Sequence, residues 1–150
     1  MKKYIPLFVM FLGINLLAYE RPLSPTMYTC RGSQGTTVGY TTTSIIGTPT
    51  FHVTYKGQEA KHGDIKTMDT AIGKLVTVED NHLVPVDGPS IRYSLVVPHI
   101  SLIGMGNVVT FDTLLVKTTV NNPFFRPLPS GQDQFNDFVE VSCKAEYVVF

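Results

Sequence analysis

The sequence lacks the short motifs that mark common catalytic and nucleotide-binding sites. It contains no G-x-S-x-G nucleophile turn, no S-x-x-K, no C-x-x-C pair and no glycine-rich phosphate loop. It also lacks a set of three or four metal ligands at the spacing that zinc sites use. We therefore predict no cofactor, no metal site and no catalytic residue.

An excess of charge of one sign is also absent. The chain has 12 basic and 12 acidic residues, with neither a charged tail nor a cluster of Lys and Arg. Binding to nucleic acid or to an anionic membrane surface requires such a cluster. Nucleic acid is therefore excluded from the expected partners.

Long apolar runs are missing except at the N-terminus. Met1-Lys2-Lys3 is followed by an apolar run of about fourteen residues, Ile5 to Ala18, short of the roughly twenty that a transmembrane helix needs. This layout is typical of a secretory signal peptide. We expect residues 1–18 to be cleaved after Ala18 and the protein to be periplasmic or extracellular, with no transmembrane segment in the mature chain.

The rest of the chain is predicted to be one domain closed by a disulfide bond. Residues 19–25 are expected to be a linker, and residues 26–150 are long enough to bury a core of their own. The only two cysteines, Cys30 and Cys143, are 113 positions apart. Two cysteines in an exported chain usually pair, because the compartment is oxidising.

Residue types and turn signals predict an all-β fold. Threonine-rich stretches favour strands over helices, and Gly, Pro, Asn and Asp separate most of the predicted strands, with one of the turns predicted at Lys56-Gly57. This pattern predicts a small antiparallel β-sandwich, with a small β-barrel as the alternative. Residues 65–72 have a second interpretation as one turn of helix. The predicted strands are Thr26 to Cys30, Thr36 to Ser44, Thr50 to Lys56, Asp64 to Met68, Gly73 to Glu79, Ile91 to Val97, Val108 to Val120 and Phe138 to Val149.

The last predicted strand has the clearest alternation, and Cys143 lies on its apolar side. Cys30 lies in the first predicted strand on the same side as Tyr28. Both sulfurs are therefore predicted to point into the core and to join the first strand to the last. The apolar side of the last strand comprises Val139, Val141, Cys143, Ala145, Tyr147 and Val149, opposite Glu140, Ser142, Lys144 and Glu146.

A long segment from Asn121 to Phe135 is predicted to be irregular, because it contains three prolines, a glycine and two asparagines. Aromatic anchors beside a cation are typical of binding hot spots. The segment is interpreted either as a cover over one end of the sandwich or as a surface for a protein or glycan partner. The predicted binding residues are Phe124, Phe125, Arg126, Leu128 and Phe135. A second candidate loop runs from Asp80 to Pro89.

Two histidine–carboxylate pairs leave an enzymatic alternative open. His62-Gly63-Asp64 and Asp80-Asn81-His82 each place both side chains on one face of an extended chain, which suits a metal ligand or an oriented base. A small secreted hydrolase or metal-dependent enzyme would require these pairs to converge. The first hypothesis is nevertheless an exported, non-enzymatic binding protein that presents loops from a rigid β scaffold.

Tyr28-Thr29-Cys30, with a late Cys143 in a short exported β domain, resembles the periplasmic inhibitors of C-type lysozyme. Those proteins are small β-barrels that insert a Ser-Gly-x-x-Tyr loop into the lysozyme cleft. The corresponding Ser90-Ile91-Arg92-Tyr93 lacks the glycine. The resemblance implies a lysozyme-inhibitor-like protein as a further alternative, and no site residue is transferred from it.

Overall fold

A computed structural model describes residues 22–44, 46–60, 65–80, 90–104, 106–120 and 134–149, and the structural statements below concern these ranges. They form nine strands and no helix, so the predicted all-β fold is confirmed. No helix within these ranges is long and apolar enough to cross a membrane. The strands are β1 Met27–Gly32, β2 Thr37–Thr41, β3 Thr50–Tyr55, β4 Gln58–Glu59, β5 Ile65–Thr70, β6 Gly73–Asp80, β7 Ser90–Pro98, β8 Val108–Val120 and β9 Gln134–Glu146.

All nine strands belong to one open antiparallel sheet with the order β4-β3-β2-β1-β9-β8-β7-β6-β5. Most neighbours are also neighbours in the chain, so tight turns join several of them. Lys56 and Gly57 turn β3 into β4 with φ values of 49° and 81°, which matches a two-residue hairpin whose central residues both have positive φ. The turn predicted at Lys56-Gly57 is therefore confirmed.

The sheet curls so strongly that its two halves face each other. Tyr55 on β3 and Tyr93 on β7 have four strands between them in the hydrogen-bonded order. In a flat sheet that separation is roughly 24 Å, because neighbouring strands lie about 4.8 Å apart. The two ring centroids are nevertheless 5.7 Å apart. One curled sheet thus supplies both layers around the core, an arrangement compatible with the predicted sandwich and with its barrel alternative.

Buried and exposed side chains alternate along the strands, and the buried ones fill the inner face of this curled sheet. On β9, Val141, Cys143 and Ala145 are buried while Ser142 and Lys144 between them are exposed, as the sequence pattern predicts. The inner face of the other strands carries the rest of the core. Its main buried residues are Tyr28, Val38, Tyr40, Phe51, Val53, Tyr55, Val76, Val78, Tyr93, Leu95, Val97 and Leu115.

The predicted disulfide joins the first and last strands. Cys30 on β1 lies directly opposite Cys143 on β9, and their sulfurs are bonded. Both residues are essentially fully buried. The predicted pairing, the strands that carry it and the inward direction of both sulfurs are all confirmed.

Each of the eight predicted strands has an observed counterpart, with differences at the ends. β9 begins at Gln134 and ends at Glu146, so Val149 is not in the strand and is 72% exposed. The two-residue β4 was not predicted, because two residues are too few to show alternation. The helical interpretation of residues 65–72 is wrong, because β5 pairs with β6 along its whole length from Ile65 to Thr70.

Candidate functional site

The loops singled out in the sequence leave from one end of the sheet, which we call the loop end. There β6 ends at Asp80, β7 begins at Ser90 and β8 ends at Val120, and Ser90 and Gln134 both pair with Val120. Segments 81–89 and 121–133 connect these strand ends. Antiparallel pairing therefore brings the attachment points of both predicted loops together, although they are far apart in the sequence.

Most of the predicted binding residues lie outside the described part of the chain, namely Phe124, Phe125, Arg126 and Leu128. The fifth, Phe135, belongs to β9, where its backbone pairs with Thr119. The irregular segment was thus predicted two residues too long, since the ladder with β8 extends to Gln134. The role of these five residues in binding stays a prediction.

The histidine–carboxylate pairs also lie mainly outside the described ranges, which exclude His62, Asp64 and His82. His52 is exposed on β3, and His99 is exposed just after β7, where its Nε2 lies 3.3 Å from the Thr70 carbonyl oxygen. Within the described ranges no group of three or more His, Cys, Asp or Glu side chains is placed to hold a metal ion. The convergence that an enzyme would require stays untested.

Described side chains at the loop end form a cluster that we call the tyrosine–lysine cluster: Tyr55, Lys56, Tyr93, Lys117 and Asp137. The Nζ atoms of Lys56 and Lys117 lie 5.4 and 5.5 Å from the centroid of the Tyr55 ring. Lys56 Nζ also donates to Asp137 Oδ2 at 2.7 Å. Two cations therefore share one aromatic ring, and one of them is paired with a carboxylate.

Three different parts of the sheet position this cluster. Tyr55 ends β3 and Lys56 begins the turn into β4, while Lys117 and Asp137 lie opposite each other on β8 and β9. The backbone N–H of Lys56 donates to the hydroxyl of buried Thr36 at 3.2 Å, which fixes the β3–β4 turn against the β1–β2 turn. The curl of the sheet then brings this turn against β9.

The pKa values of Tyr55 and Asp137 are shifted in opposite directions. The pKa of Tyr55 is raised well above its ordinary value, first by burial and then by the adjacent Asp137 carboxylate. The pKa of Asp137 is lowered, chiefly because Lys56 donates a hydrogen bond to it. The Tyr55 hydroxyl is buried and lies near the Asp137 carboxylate, although no hydrogen bond of normal geometry joins it to a described atom.

The cluster places two ammonium groups and a carboxylate around the buried ring of Tyr55. The partly exposed ammonium and carboxylate groups of Lys56 and Asp137 can hydrogen-bond to polar or charged groups of a partner. The sequence did not identify these residues as a site, because they come from separate strands with no shared motif. The only local signal was the Lys56-Gly57 turn.

Comparisons with known protein families, with curated proteins and with solved structures found no match for this chain. The structure also bears on the resemblance to lysozyme inhibitors. Ser90-Ile91-Arg92-Tyr93 forms the first part of β7, where Ser90 pairs with β8 and the other three residues pair with both β6 and β8, whereas those inhibitors present the corresponding residues on a loop. This segment therefore adds no support to an inhibitor function.

Proposed function

We propose that this protein is an exported, non-enzymatic binding protein that holds a protein or glycan partner at the loop end of its sheet. The observation that carries the proposal is the position of the tyrosine–lysine cluster beside the ends of β6, β7, β8 and β9, from which segments 81–89 and 121–133 leave. Binding residues are commonly presented in this way, on connections that a rigid scaffold positions.

The chemistry of the cluster supports a polar partner surface. Lys117 lies 5.5 Å from the Tyr55 ring, and the side chains of Lys56 and Asp137 are 37% and 55% exposed, so both can hydrogen-bond to a partner. Protein interfaces are enriched in aromatic residues, and sugars are bound by hydrogen bonds combined with aromatic contact. Phe124 and Phe125, which the sequence predicts as binding residues, would add apolar anchors on segment 121–133.

Site-specific photo-crosslinking tests where the partner binds. A photoreactive residue is placed at exposed Ser90 on the loop end and, as a control, at exposed Ser101 on the β7–β8 connection at the other end. Each protein is irradiated in an extract of the native host's envelope and in its culture fluid. We expect a specific adduct from position 90 and none from position 101. Equal adducts from both positions contradict the proposal.

A second set of variants tests the cluster itself. In the protein labelled at position 90, Lys117→Ala should reduce the adduct, because it removes a cation beside Tyr55. Lys144→Ala is the matched control, since Lys144 lies on the opposite face of the sheet and is 51% exposed. The double variant Phe124→Ala/Phe125→Ala should also reduce the adduct. Identical adduct yields from the Lys117 and Lys144 variants would show that the cluster takes no part in binding.

A further inference from the structure

The curled sheet leaves a pocket open at the end opposite the loop end. There β1 and β6 begin while β2 and β7 end, and a cavity of about 160 Å³ lies between these strands. We call it the mouth pocket, because small-molecule sites are often found in the mouths of β-barrels. The residues around the mouth pocket include Pro25, Tyr28, Tyr40, Lys74, His99 and Ile100.

One wall of the mouth pocket is the segment that leads into β1, and backbone hydrogen bonds fix it on both sides. Leu23 and Leu102 exchange two of these bonds, of 2.9 and 2.8 Å. Further along, the N–H of Thr26 donates to the Glu146 carbonyl oxygen at 3.0 Å. Pro25 lies between these two anchor points and is buried. The wall is therefore in place before a ligand binds, which lowers the conformational cost of binding.

Two tyrosines form the floor of the mouth pocket. Tyr28 and Tyr40 are 6% and 2% exposed, and their rings stack with centroids 5.5 Å apart. Burial is the largest cause that raises the pKa of both phenols, so their hydroxyls keep the proton and can donate it in a hydrogen bond. The Asp69 carboxylate also raises the pKa of Tyr40. Because the Asp69 side chain is 81% exposed, this effect places the Tyr40 hydroxyl towards the open rim of the pocket.

The rim of the mouth pocket carries an ammonium group and an imidazole. Lys74 lies on the same face of β6 as buried Val76, and its side chain is 43% exposed. Its contact with Asp69 measures 3.9 Å, and exposed pairs of this kind are weak, so the ammonium can bind an acceptor that comes closer. His99 is exposed just after β7, the strand beside β6, and its Nε2 lies 3.3 Å from the Thr70 carbonyl oxygen. An aromatic floor thus leads to a rim that holds a positive charge.

We infer that the mouth pocket binds a small carboxylate, whose apolar body rests on the tyrosine floor and whose charged group reaches Lys74. The size of the ligand follows from the cavity, because about 150 Å³ is enough for benzene and the carboxylate can extend into the open rim. The charge follows from the donors, because ammonium groups and hydroxyls form their strongest hydrogen bonds with an ionised acceptor. The site goes beyond the proposed function, since it lies at the other end of the sheet and takes a small molecule instead of a protein or glycan.

Titration of the isotope-labelled mature protein with benzoate, followed by NMR, tests this inference. Benzoate has a compact ring and one carboxylate, and benzamide is the matched neutral ligand. We expect benzoate to shift the amide signals of Tyr28, Tyr40 and Lys74 with a dissociation constant of about 1 mM or below, a typical strength for a ligand of so few atoms. The amide signal of Ser90 at the loop end should not move. Benzamide should bind about tenfold more weakly, because it offers the Lys74 ammonium no ionised acceptor.

Charge variants test the role of the rim. Lys74→Gln should weaken benzoate binding about tenfold. Asp69→Asn should strengthen it, because this change removes the carboxylate that competes for Lys74. Lys66→Gln is the matched control, since it removes one charge from the outer face of β5, where the Lys66 side chain is 69% exposed, and it should leave benzoate binding unchanged. Circular dichroism checks that every variant is folded.

Three results would overturn the inference. The first is that benzoate shifts none of the pocket signals up to its solubility limit, and the second is that benzamide binds as tightly as benzoate. The third is that Lys74→Gln and Lys66→Gln bind benzoate equally well. None of these results changes the outcome of the crosslinking test at the loop end, so the two proposals fail separately.

Discussion

Cys30 and Cys143 are directly opposite each other in the ladder between β1 and β9, 113 residues apart in the chain. The backbone hydrogen bonds of the two strands already hold the cysteines together in the folded protein. The disulfide therefore acts mainly on the unfolded chain, in which it closes a very long loop.

Removal of this bond should lower the free energy of unfolding strongly without changing the fold. For Cys30→Ala/Cys143→Ala we expect a loss of about 4 to 5 kcal/mol, the chain-entropy value for a loop of this length. Urea unfolding of the variant against the oxidised protein measures it. The unreduced wild-type protein should also be lighter by two hydrogens than the reduced form. Two free thiols in the purified protein would contradict the structure.

Gly73 at the start of β6 leaves no room for a side chain. A Cβ atom there would lie against the backbone of Val97 and Pro98 on β7, which the ladder prevents from moving. Gly73→Ala should therefore cost about 1 to 3 kcal/mol or more. Gly39→Ala on β2 is the matched control, since nothing lies within 4 Å of its Cβ position, and it should be neutral or stabilising. Equal thermal midpoints for the two variants would refute this packing.

The core tyrosines should resist ionisation until the protein unfolds. The pKa of Tyr28 is raised from the ordinary value of 10.0 to about 12, chiefly by burial. Burial is also the largest cause that raises the pKa values of Tyr40, Tyr55 and Tyr93. The neutral form is thus favoured in the folded state. Its contribution to stability is complete below pH 10 and is lost as the pH rises through the raised values.

Alkaline titration checks this expectation by following tyrosinate absorbance together with near-ultraviolet circular dichroism. We expect the core tyrosines to ionise in the same step in which the tertiary signal disappears. Ionisation of all tyrosines near pH 10 with the tertiary signal intact would show that the rings are not buried as described.

Glu79 should make the stability depend on pH in acid. Arg92 Nη2 donates to Glu79 Oε1 at 2.7 Å, and this bond is the main cause that lowers the pKa of Glu79 below the ordinary 4.5. The charged form is favoured in the folded state. Its contribution is therefore present above pH 4.5 and is lost as the pH falls through the lowered value.

Urea unfolding between neutral pH and pH 3 measures this dependence. Glu79→Gln should flatten the acid side of the stability profile relative to wild type. Arg92→Gln should have a similar effect, because it removes the donor rather than the carboxylate. An unchanged acid slope in both variants would mean that the pair contributes nothing to stability in solution.

Local patterns in the sequence were sufficient for eight of the nine described strands and for the disulfide. Alternation around Cys143 and the position of Cys30 predicted both the face and the pairing, because the side-chain period of a strand is fixed by its backbone. Turn residues such as Lys56-Gly57 marked the hairpins for a similar reason, since few residues accept a positive φ. Errors occurred at strand ends, as at Phe135, where the ladder with a neighbouring strand decides how far the pairing continues.

The candidate site was only partly predictable from the sequence. The sequence indicated the segments 80–89 and 121–135 by composition, but it contained no signal that Tyr55, Lys117 and Asp137 would meet. Nor did it distinguish the outer apolar residues from the inner ones on β8, where Leu114, Leu115 and Val116 follow one another without alternation. Pairing with β7 and β9 assigns Leu115 to the core and its two neighbours to the outer face.

The sequence by itself determined that this chain forms antiparallel strands whose first and last members are joined by Cys30 and Cys143. Only the tertiary structure decided that Tyr55 meets Tyr93 and which cations share the Tyr55 ring. The physical reason is that alternation is a property of single strands, whereas the meeting of two faces depends on the curl of the whole sheet. That curl accumulates over many strand pairs, and no single stretch of sequence encodes it.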